Sequence, residues 1–377
     1  MRLTDWSLSE KIGQLFMVGF EGTEVTSELA AWMEAYSWSG VILFSRNVES
    51  PAQLRALTDG LQIVRRRSSM PLLIAVDQEG GRVARLRAPF TAFPSAAALG
   101  HTASEPLIQA FGQSLGRELR AVGINMDMAP VLDVLTNAAN TVIGDRAFGA
   151  DPQAVARLGV AFMQGLHASG ILAVGKHFPG HGDTRLDSHV ALPCSERTEA
   201  QLRACELRPF QAAIGAGLQA IMTAHVIFRV WDADYPATLS SSILSRILRA
   251  ELGFSGVIIS DDLGMAAVSE TVPWEEIAVR ALRAGVDLLL ICHQRERQEQ
   301  AYTSVLRAVE CGDLPETLVD GALARVQALK SQLHGLHREA AIPPPLACIG
   351  SAEHRALAAQ VVGPSAHLTT KEETYGD

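Results

Sequence analysis

The sequence predicts an α/β protein, a (β/α)8 TIM-like barrel that forms a single catalytic domain with a short C-terminal extension. Short, almost continuously apolar runs alternate with longer amphipathic stretches, a pattern typical of parallel strands covered by helices on both faces. Eight such runs are present, and 377 residues are enough for eight strand–helix units with insertions. Eight units in one chain favour a closed barrel over an open sheet.

The predicted elements follow each other in regular order. The strands are Phe16–Phe20, Val41–Phe44, Leu72–Asp77, Asn125–Val131, Ala173–His177, Ala220–Val226, Val257–Asp261 and Asp287–Cys292. The helical patterns are Pro51–Arg67, Glu105–Ala121, Asp151–Ser169, Glu199–Ala216, Ser241–Glu251, Trp274–Ala284 and Glu316–Leu333. Ser7 and Glu10 predict a capping box, and glycines at 123, 170, 217 and 253 follow helices where a left-handed residue is favoured.

A run of three prolines at 343–345 interrupts this pattern after the last predicted helix. We therefore place the barrel domain at residues 1–337 and a Pro-rich linker with a short helical tail at residues 338–377. The tail contains one amphipathic stretch, Glu353–Val362, and is too short to fold as a domain of its own. Because the predicted barrel is complete before the prolines, we expect residues 346–377 to be dispensable for catalysis.

Composition and charge argue against several classes of protein. Hydrophobic residues make up 48% and charged residues 19% of the chain, which predicts a large buried core rather than disorder. The net charge of -9 argues against nucleic acid as a partner, since phosphate binding needs a basic face. No apolar run approaches the ~20 residues of a membrane-spanning helix. Five cysteines without a CxxC pair and an N-terminus without a signal-peptide pattern predict a cytoplasmic protein. The oligomeric state is left open.

Potentially reactive side chains occur at the ends of most predicted strands. These residues are Asp77, Asp133, Lys176, His177, His225, Asp261 and His293. In a parallel barrel all strands point the same way, so these side chains are expected to meet at one mouth of the barrel.

The densest group of such residues is the segment KHFPGHGDT at 176–184, which continues to Asp187 and His189. Its glycines, proline and histidines predict a structured active-site loop, in which Lys176 and His177 are candidates to bind sugar hydroxyls. A hydrogen bond between Asp187 and His189 would orient the imidazole and raise its basicity, as a proton donor that later acts as a base requires. The alternatives are histidines that only stabilise the loop and histidines that bind a metal. Their spacing matches no standard ligand signature, so we expect neither a metal nor a cofactor.

Three further segments carry candidate residues. In SDDLGM, two acidic residues follow a buried strand; one can cap the next turn, so we assign Asp261 to chemistry and Asp262 to support. In DQEGGRV, Asp77 precedes two glycines that allow close approach of a ligand, and Arg85 follows shortly; a helix-capping Asp with a surface Arg is the alternative. In GDRAFG, Arg146 can project into the mouth.

These motifs, with APVLDV at 129–134, resemble the family 3 glycoside hydrolases, and most closely their NagZ-type β-N-acetylglucosaminidase branch. The resemblance covers roughly residues 8–330. It implies a TIM-type barrel and a retaining mechanism through a covalent glycosyl–enzyme, with Asp261 as the nucleophile, His189 as the acid/base and Asp187 as its partner. It also implies that Asp77, Arg85, Arg146, Lys176 and His177 bind the sugar.

The implied activity is removal of terminal non-reducing β-linked N-acetylglucosamine from muropeptides of peptidoglycan recycling or from chitin-type fragments. The expected partner is therefore a small saccharide. Other family 3 activities, a β-glucosidase or a phosphate-using N-acetylglucosaminidase, are alternatives, and a metal-dependent barrel hydrolase or a catalytically inactive sugar-binding protein is an alternative of another class. The chain departs from longer relatives in ending just after GSAEHRALAAQVV, which resembles the opening helix of their second domain. We interpret the tail as a vestige of that domain.

Overall fold

The computed structural model describes residues 6–64, 70–102, 104–184, 192–269, 271–339 and 342–361. Its central sheet contains eight parallel strands. They are β1 (Phe16–Val18), β2 (Gly40–Leu43), β3 (Leu73–Val76), β4 (Met126–Asp127), β5 (Leu172–Phe178), β6 (Ala220–Thr223), β7 (Val257–Ile259) and β8 (Leu289–Ile291). All eight lie within or overlap the predicted strands, because a strand buried on both faces gives an unbroken apolar run.

The sheet closes into a barrel. Each strand from β1 to β6 pairs in parallel with the strand that follows it along the chain, and β8 pairs with β1, where Phe16 lies opposite Leu289. Between β7 and β8 a parallel bridge joins Ile259 to Leu288, and the Ser260 N–H donates to the Leu288 carbonyl at 3.0 Å. The predicted (β/α)8 barrel is therefore confirmed.

Helices surround the barrel between its strands. They are α1 (Leu8–Gly13), α2 (Ser27–Tyr36), α3 (Pro51–Val64), α4 (Ala96–Thr102), α5 (Glu105–Ala121), α6 (Pro152–Ala168), α7 (Glu199–Ala204), α8 (Leu207–Gly215), α9 (Ala266–Ser269), α10 (Trp274–Ala284), α11 (Arg295–Glu310), α12 (Glu316–Glu339) and α13 (Ala352–Ala359). The capping box of Ser7 and Glu10 is present, and the four glycines after helices have φ of 79°, 82°, 89° and 69°.

Two predicted helices differ from the structure. The stretch Glu199–Ala216 is divided into α7 and α8, because Cys205 leaves the helical region with φ -120° and ψ -76°. The segment Ser242–Glu251 is π-helical rather than α-helical. It still buries one apolar face through Ile243, Leu244, Ile247 and Leu248, so its sequence pattern cannot distinguish the two helix types.

One end of the barrel is covered by α12. Val326, Leu329 and Leu333 pack against the apolar side chains that fill the barrel interior. Lys330 donates to the Gln14 side chain at 3.0 Å, just before β1. Arg325 donates to Asp287, just before β8, at 2.7 Å. Since these partners precede their strands, α12 lies at the amino ends of the strands and leaves the carboxyl ends open.

The described part of the tail packs against α5. Glu118 of α5 accepts hydrogen bonds from the Gly350 N–H at 3.0 Å and from His354 Nδ1 at 2.7 Å, while its other oxygen accepts from the Thr91 N–H at 2.9 Å. Leu357 and Val361 pack against the core. The division at residue 337 and the origin of the tail stay predictions. None of the described helices is both long and apolar enough to cross a membrane.

Candidate active site

The strand ends bring most of the predicted residues together at the open mouth. Asp77 directly follows β3, and Lys176 and His177 are the fifth and sixth residues of β5. Lys176 Nζ lies 2.7 Å from Asp77 Oδ1, although 99 positions separate the two residues in the sequence. Arg146, in a short 3-10 helix at 144–146, reaches to 3.4 Å from His177 Nε2.

A buried carboxylate that the sequence analysis did not select, Glu79, is the centre of this group. Its two oxygens accept from Arg146 Nη2 and Nε at 2.8 and 2.9 Å, and Lys176 Nζ lies 2.6 Å from Oε1. The side chains of Glu79, Arg146 and Lys176 are 4%, 12% and 2% exposed. Burial raises the pKa of Glu79, but Arg146 and Lys176 outweigh burial and hold it well below its usual range.

Lys176 remains charged in this environment. Burial lowers its pKa, but the carboxylates of Asp77 and Glu79 more than compensate, so the pKa of Lys176 is raised. Two carboxylates and two cations thus form a nearly neutral network on one wall of the mouth. Ionised groups in this arrangement are strong hydrogen-bonding partners for hydroxyl groups.

The local backbone explains how Glu79 reaches this position. Residues Gln78–Gly80 form a short antiparallel pair with Val83–Ala84 at the end of β3. The hairpin turns at Gly80 and Gly81, which have φ of 94° and 60°. A Cβ at Gly80 would lie 2.4 Å from the carbonyl oxygen of Pro94, so only glycine fits there. Glu79 lies in the first strand of this hairpin, two residues after Asp77, and contacts the same Lys176 ammonium group as Asp77.

His177 is hydrogen-bonded to Asp133, which is fully buried. His177 Nδ1 lies 2.7 Å from Asp133 Oδ2, and the backbone N–H groups of His177 and His181 donate to Asp133 Oδ1 at 3.3 and 2.6 Å. His181 is buried beside them with its Nδ1 2.8 Å from the Thr184 hydroxyl. Burial, together with the neighbouring His177, lowers the pKa of His181 to about 4.

The acidic pair after β7 is divided between two environments. Asp262 Oδ1 accepts from the N–H groups of Gly264 at 3.0 Å and Cys292 at 3.1 Å, so this side chain ties the loop to the end of β8. Burial raises the pKa of Asp262. Asp261 is half-buried, and its Oδ1 accepts from the Asp262 N–H at 2.8 Å.

His225, after β6, is buried with both ring nitrogens bonded. Its Nδ1 lies 2.7 Å from the Thr238 hydroxyl and its Nε2 lies 2.9 Å from the Asp262 carbonyl oxygen. Because a carbonyl only accepts, Nε2 carries the proton. Burial lowers the pKa of His225.

Arg85 and His293 lie near Phe44, apart from the other predicted residues of the mouth. The Arg85 guanidinium lies 5.3 Å from the Phe44 ring centre, and its Nε is buried without a hydrogen-bond partner among the described residues. It is near the group but is not part of the Lys176 network. His293 also lies beside Phe44, with ring centres 5.2 Å apart. Asp187 and His189 lie outside the described residues. Within the described ranges, no group of three or more His, Cys, Asp or Glu residues is arranged to hold a metal ion.

Comparison with known proteins gives consistent matches over most of the chain. The N-terminal domain of glycosyl hydrolase family 3 matches residues 7–329. A beta-hexosaminidase from Alkalilimnicola ehrlichii is 44% identical over 297 residues, which are 77% of this chain and 83% of that protein. One from Thioalkalivibrio sulfidiphilus is 41% identical over 325 residues, 85% of this chain and 90% of that protein.

Two solved structures extend these matches to the fold. A family 3 β-N-acetylglucosaminidase from Paenibacillus sp. superposes with a TM-score of 0.89 at 40% identity, covering 94% of this chain and 68% of that chain. NagZ from Neisseria gonorrhoeae, in complex with N-trifluoroacetyl-D-glucosamine, superposes with a TM-score of 0.73 at 32% identity, covering 92% and 96%. The predicted family is therefore confirmed, and the chain belongs to glycosyl hydrolase family 3.

Proposed function

We propose that this glycoside hydrolase is a retaining exo-β-N-acetylhexosaminidase, which removes terminal non-reducing β-linked N-acetylglucosamine. The enzyme class agrees with its relatives, which are named beta-hexosaminidase, and with the β-N-acetylglucosaminidase among its structural neighbours. The observation that carries the proposal is the buried network of Asp77, Glu79, Lys176 and Arg146 at the carboxyl ends of the strands. It offers charged donors and acceptors to the hydroxyl groups of one sugar ring.

Asp77 is the most exposed member of this network and the best suited to touch the sugar, and Lys176 has a donor to spare for a hydroxyl. The Asp77 side chain is 18% exposed, whereas those of Glu79 and Lys176 are 4% and 2% exposed. A carboxylate has about four acceptor sites, and only one oxygen of Asp77 is bonded to Lys176. Lys176 has three donors and uses two for Asp77 and Glu79, which leaves one for a hydroxyl. Glu79, which is more deeply buried than Asp77, forms ion pairs with both Arg146 and Lys176.

Asp261 is proposed as the nucleophile. A retaining mechanism needs a carboxylate fixed by the barrel at the mouth, and Asp261 is the second residue after the end of β7. Its neighbour Asp262 has one oxygen committed to two backbone N–H groups, which suits a supporting role. This division agrees with the roles predicted from the sequence.

His189, oriented by Asp187, is proposed as the acid/base. Among the described histidines at the mouth, His225 has both nitrogens bonded, and His181 is neutral and buried. His177 is bonded to Asp133 at Nδ1 and faces Arg146 at Nε2. His293 is the remaining candidate, and it serves as the matched control for His189.

The substrate is tested with nitrophenyl glycosides that differ only at the second carbon of the sugar. Selective release from the N-acetylglucosaminide is expected, whereas preference for the glucoside would indicate a β-glucosidase. Equal rates in phosphate and in neutral buffer without phosphate are expected for hydrolysis, and a glycosyl phosphate product would indicate phosphorolysis. Activity that is lost with a chelator would favour the metal-dependent alternative.

The mechanism is tested with a 5-fluoro glycoside, which should form a covalent adduct that peptide mapping places on Asp261. An adduct on Asp262 would correct the residue, and inverted product stereochemistry without an adduct would refute a retaining mechanism.

The natural substrate is proposed to be a muropeptide or a chitin-type fragment in the cytoplasm. All five cysteines are free thiols, which suits a reducing compartment. Turnover of a purified muropeptide against that of chitobiose distinguishes the two aglycones.

A further inference from the structure

Asp133 is held in place by the continuation of the barrel pairing beyond β4. Val131 forms a parallel bridge with Lys176, and the Leu132 N–H donates to the Lys176 carbonyl at 2.6 Å. These contacts fix the backbone on both sides of the site at the level of His177. The Asp133 side chain is fully buried, so its hydrogen bonds are not exchanged with solvent.

The two oxygens of Asp133 have separate partners. Oδ1 accepts from the backbone N–H groups of His177 and His181, which are donors whose direction is set by the chain. Oδ2 is left for the ring of His177, 2.7 Å away at Nδ1. Burial raises the pKa of Asp133, but the hydrogen bonds from His177 and from the His181 N–H favour the ionised carboxylate, and its pKa is lowered overall. An ionised carboxylate only accepts, so Nδ1 of His177 must carry a proton.

The other nitrogen of the His177 ring leads to the same tautomer. Nε2 lies 3.4 Å from Arg146 Nη2. A guanidinium has donors and no acceptor, so Nε2 presents its lone pair to Arg146. Arg146 is itself fixed by its two hydrogen bonds to Glu79. Asp133 therefore requires a proton on Nδ1, and Arg146 requires that Nε2 carry none. Together they specify a neutral His177 with its proton on Nδ1.

We propose that Asp133 is a positioning residue, which holds His177 in the Nδ1–H tautomer and so makes Nε2 the acceptor that fixes the Arg146 guanidinium at the mouth. The consequence for binding rests on the proposed function, in which Arg146 and His177 belong to the sugar site. The same tautomer excludes His177 as the proton donor to the departing oxygen. In this proposal His177 accepts a hydrogen bond at Nε2, whereas the proposed acid/base histidine donates a proton. A different carboxylate orients each ring.

The test is Asp133→Asn, which keeps the shape of the side chain but replaces one oxygen by an NH2 group. The two backbone N–H groups require the amide oxygen at the position of Oδ1, so the NH2 group faces His177 Nδ1. Nδ1 then becomes an acceptor, and the ring proton moves to Nε2, where it opposes Arg146. Long-range 15N–1H spectra of 15N-histidine protein distinguish the two tautomers, and the spectrum of His177→Gln identifies the signal.

We expect the Nδ1–H pattern in the wild type and the Nε2–H pattern in Asp133→Asn. We also expect kcat/KM for the nitrophenyl N-acetylglucosaminide to fall by about 10- to 100-fold, as for other carboxylates that orient a histidine. The loss should be the same for good and poor leaving groups, because proton donation is unchanged. Asp183→Asn is the control: Asp183 lies on the same loop, 3.1 Å from Arg197 Nε, and should leave the His177 signal unchanged.

A wild-type His177 that is doubly protonated or carries its proton on Nε2 would overturn the proposal, and this spectrum can be recorded even if the variant does not fold. An unchanged tautomer in Asp133→Asn would also overturn it. If Asp133→Asn changes the tautomer but the wild type releases no N-acetylglucosamine, the role of Asp133 would be supported and the proposed function would be refuted.

Discussion

Replacement of Glu79 with Gln tests whether the charge of this buried carboxylate stabilises its network with Arg146 and Lys176. Gln keeps the volume of the side chain and retains one oxygen as an acceptor. It removes the charge that lies within 2.9 Å of both Arg146 and Lys176. After the change, Lys176 keeps the carboxylate of Asp77, whereas Arg146 loses its ion pair with Glu79.

The expected loss of stability follows from the burial of these groups. Removal of one partner from a buried ion pair costs about 3–5 kcal/mol, because the other charge is left without compensation. Asp77 still contacts Lys176, so we expect a value near the lower end, ~3 kcal/mol. The control is Asp145→Asn, which breaks the pair with Arg82 at 2.7 Å, where the side chains are 31% and 46% exposed. An exposed pair of this kind contributes at most ~1 kcal/mol.

The assay is urea unfolding of wild type and both variants, compared at equal m-values so that the midpoints report stability. The KM for the N-acetylglucosaminide should rise in Glu79→Gln, because Lys176 and Arg146 lose their common anchor. A loss of stability in Glu79→Gln no larger than that in Asp145→Asn would refute the reasoning.

The difference in unfolding free energy between wild type and Glu79→Gln should depend on pH with a defined sign. The pKa of Glu79 is lower in the folded protein than in the unfolded chain, where a Glu carboxyl titrates near ~4.3. Its stabilising contribution is therefore complete above that value and is lost progressively as the pH falls below it. The difference between wild type and Glu79→Gln should be constant from neutral pH to about 5. It should shrink in more acidic solution.

Three further predictions concern the mechanism and the tail. His189→Ala should slow substrates with poor leaving groups far more than activated aryl glycosides, while His293→Ala should affect both alike; equal losses in His189→Ala would mean another role for that residue. Asp261→Asn should lose essentially all turnover, while calorimetry should show that it still binds substrate. Turnover that persists in this variant would contradict the assignment of Asp261 as the nucleophile. His354→Ala should lower the free energy of unfolding by about 2 kcal/mol, since it removes a buried donor to the Glu118 carboxylate, while kcat stays unchanged. The exposed Glu353→Ala is its control, and a fall in kcat of folded His354→Ala would show that the tail also serves catalysis.

The periodicity of the sequence was sufficient to predict the barrel. Helices α5 and α10 begin and end at the predicted residues, because each has a clear apolar face with a defined start and stop. The break at Cys205 was not predictable in the same way. The apolar pattern continues across it from α7 to α8, and only the backbone angles show that the helix is interrupted.

The candidate site was predictable where a reactive side chain ends an apolar strand, as at Asp77, Lys176 and His177. Glu79 was missed, since its position two residues beyond a strand end gives no indication of its partners, which lie 67 and 97 positions away at Arg146 and Lys176. Asp133 was noticed as a residue past a strand end, but its role depends on His177, 44 positions along the chain. Pairings of this kind are set by the closure of the barrel and not by local sequence.

These long-range pairings also determine the electrostatics of the mouth. Nearby carboxylates would disfavour ionisation of a nucleophile, because like charges raise the pKa of an acid. In this site Lys176 and Arg146 balance Asp77 and Glu79, and the Asp133 carboxylate is bonded to His177 and to two backbone N–H groups. In the proposed mechanism, Asp77 can therefore hold sugar hydroxyl groups without adding uncompensated negative charge around the proposed nucleophile. The cations that bind Glu79 would then have two roles: they fix the proposed sugar-binding side chains, and they neutralise the carboxylates of the network.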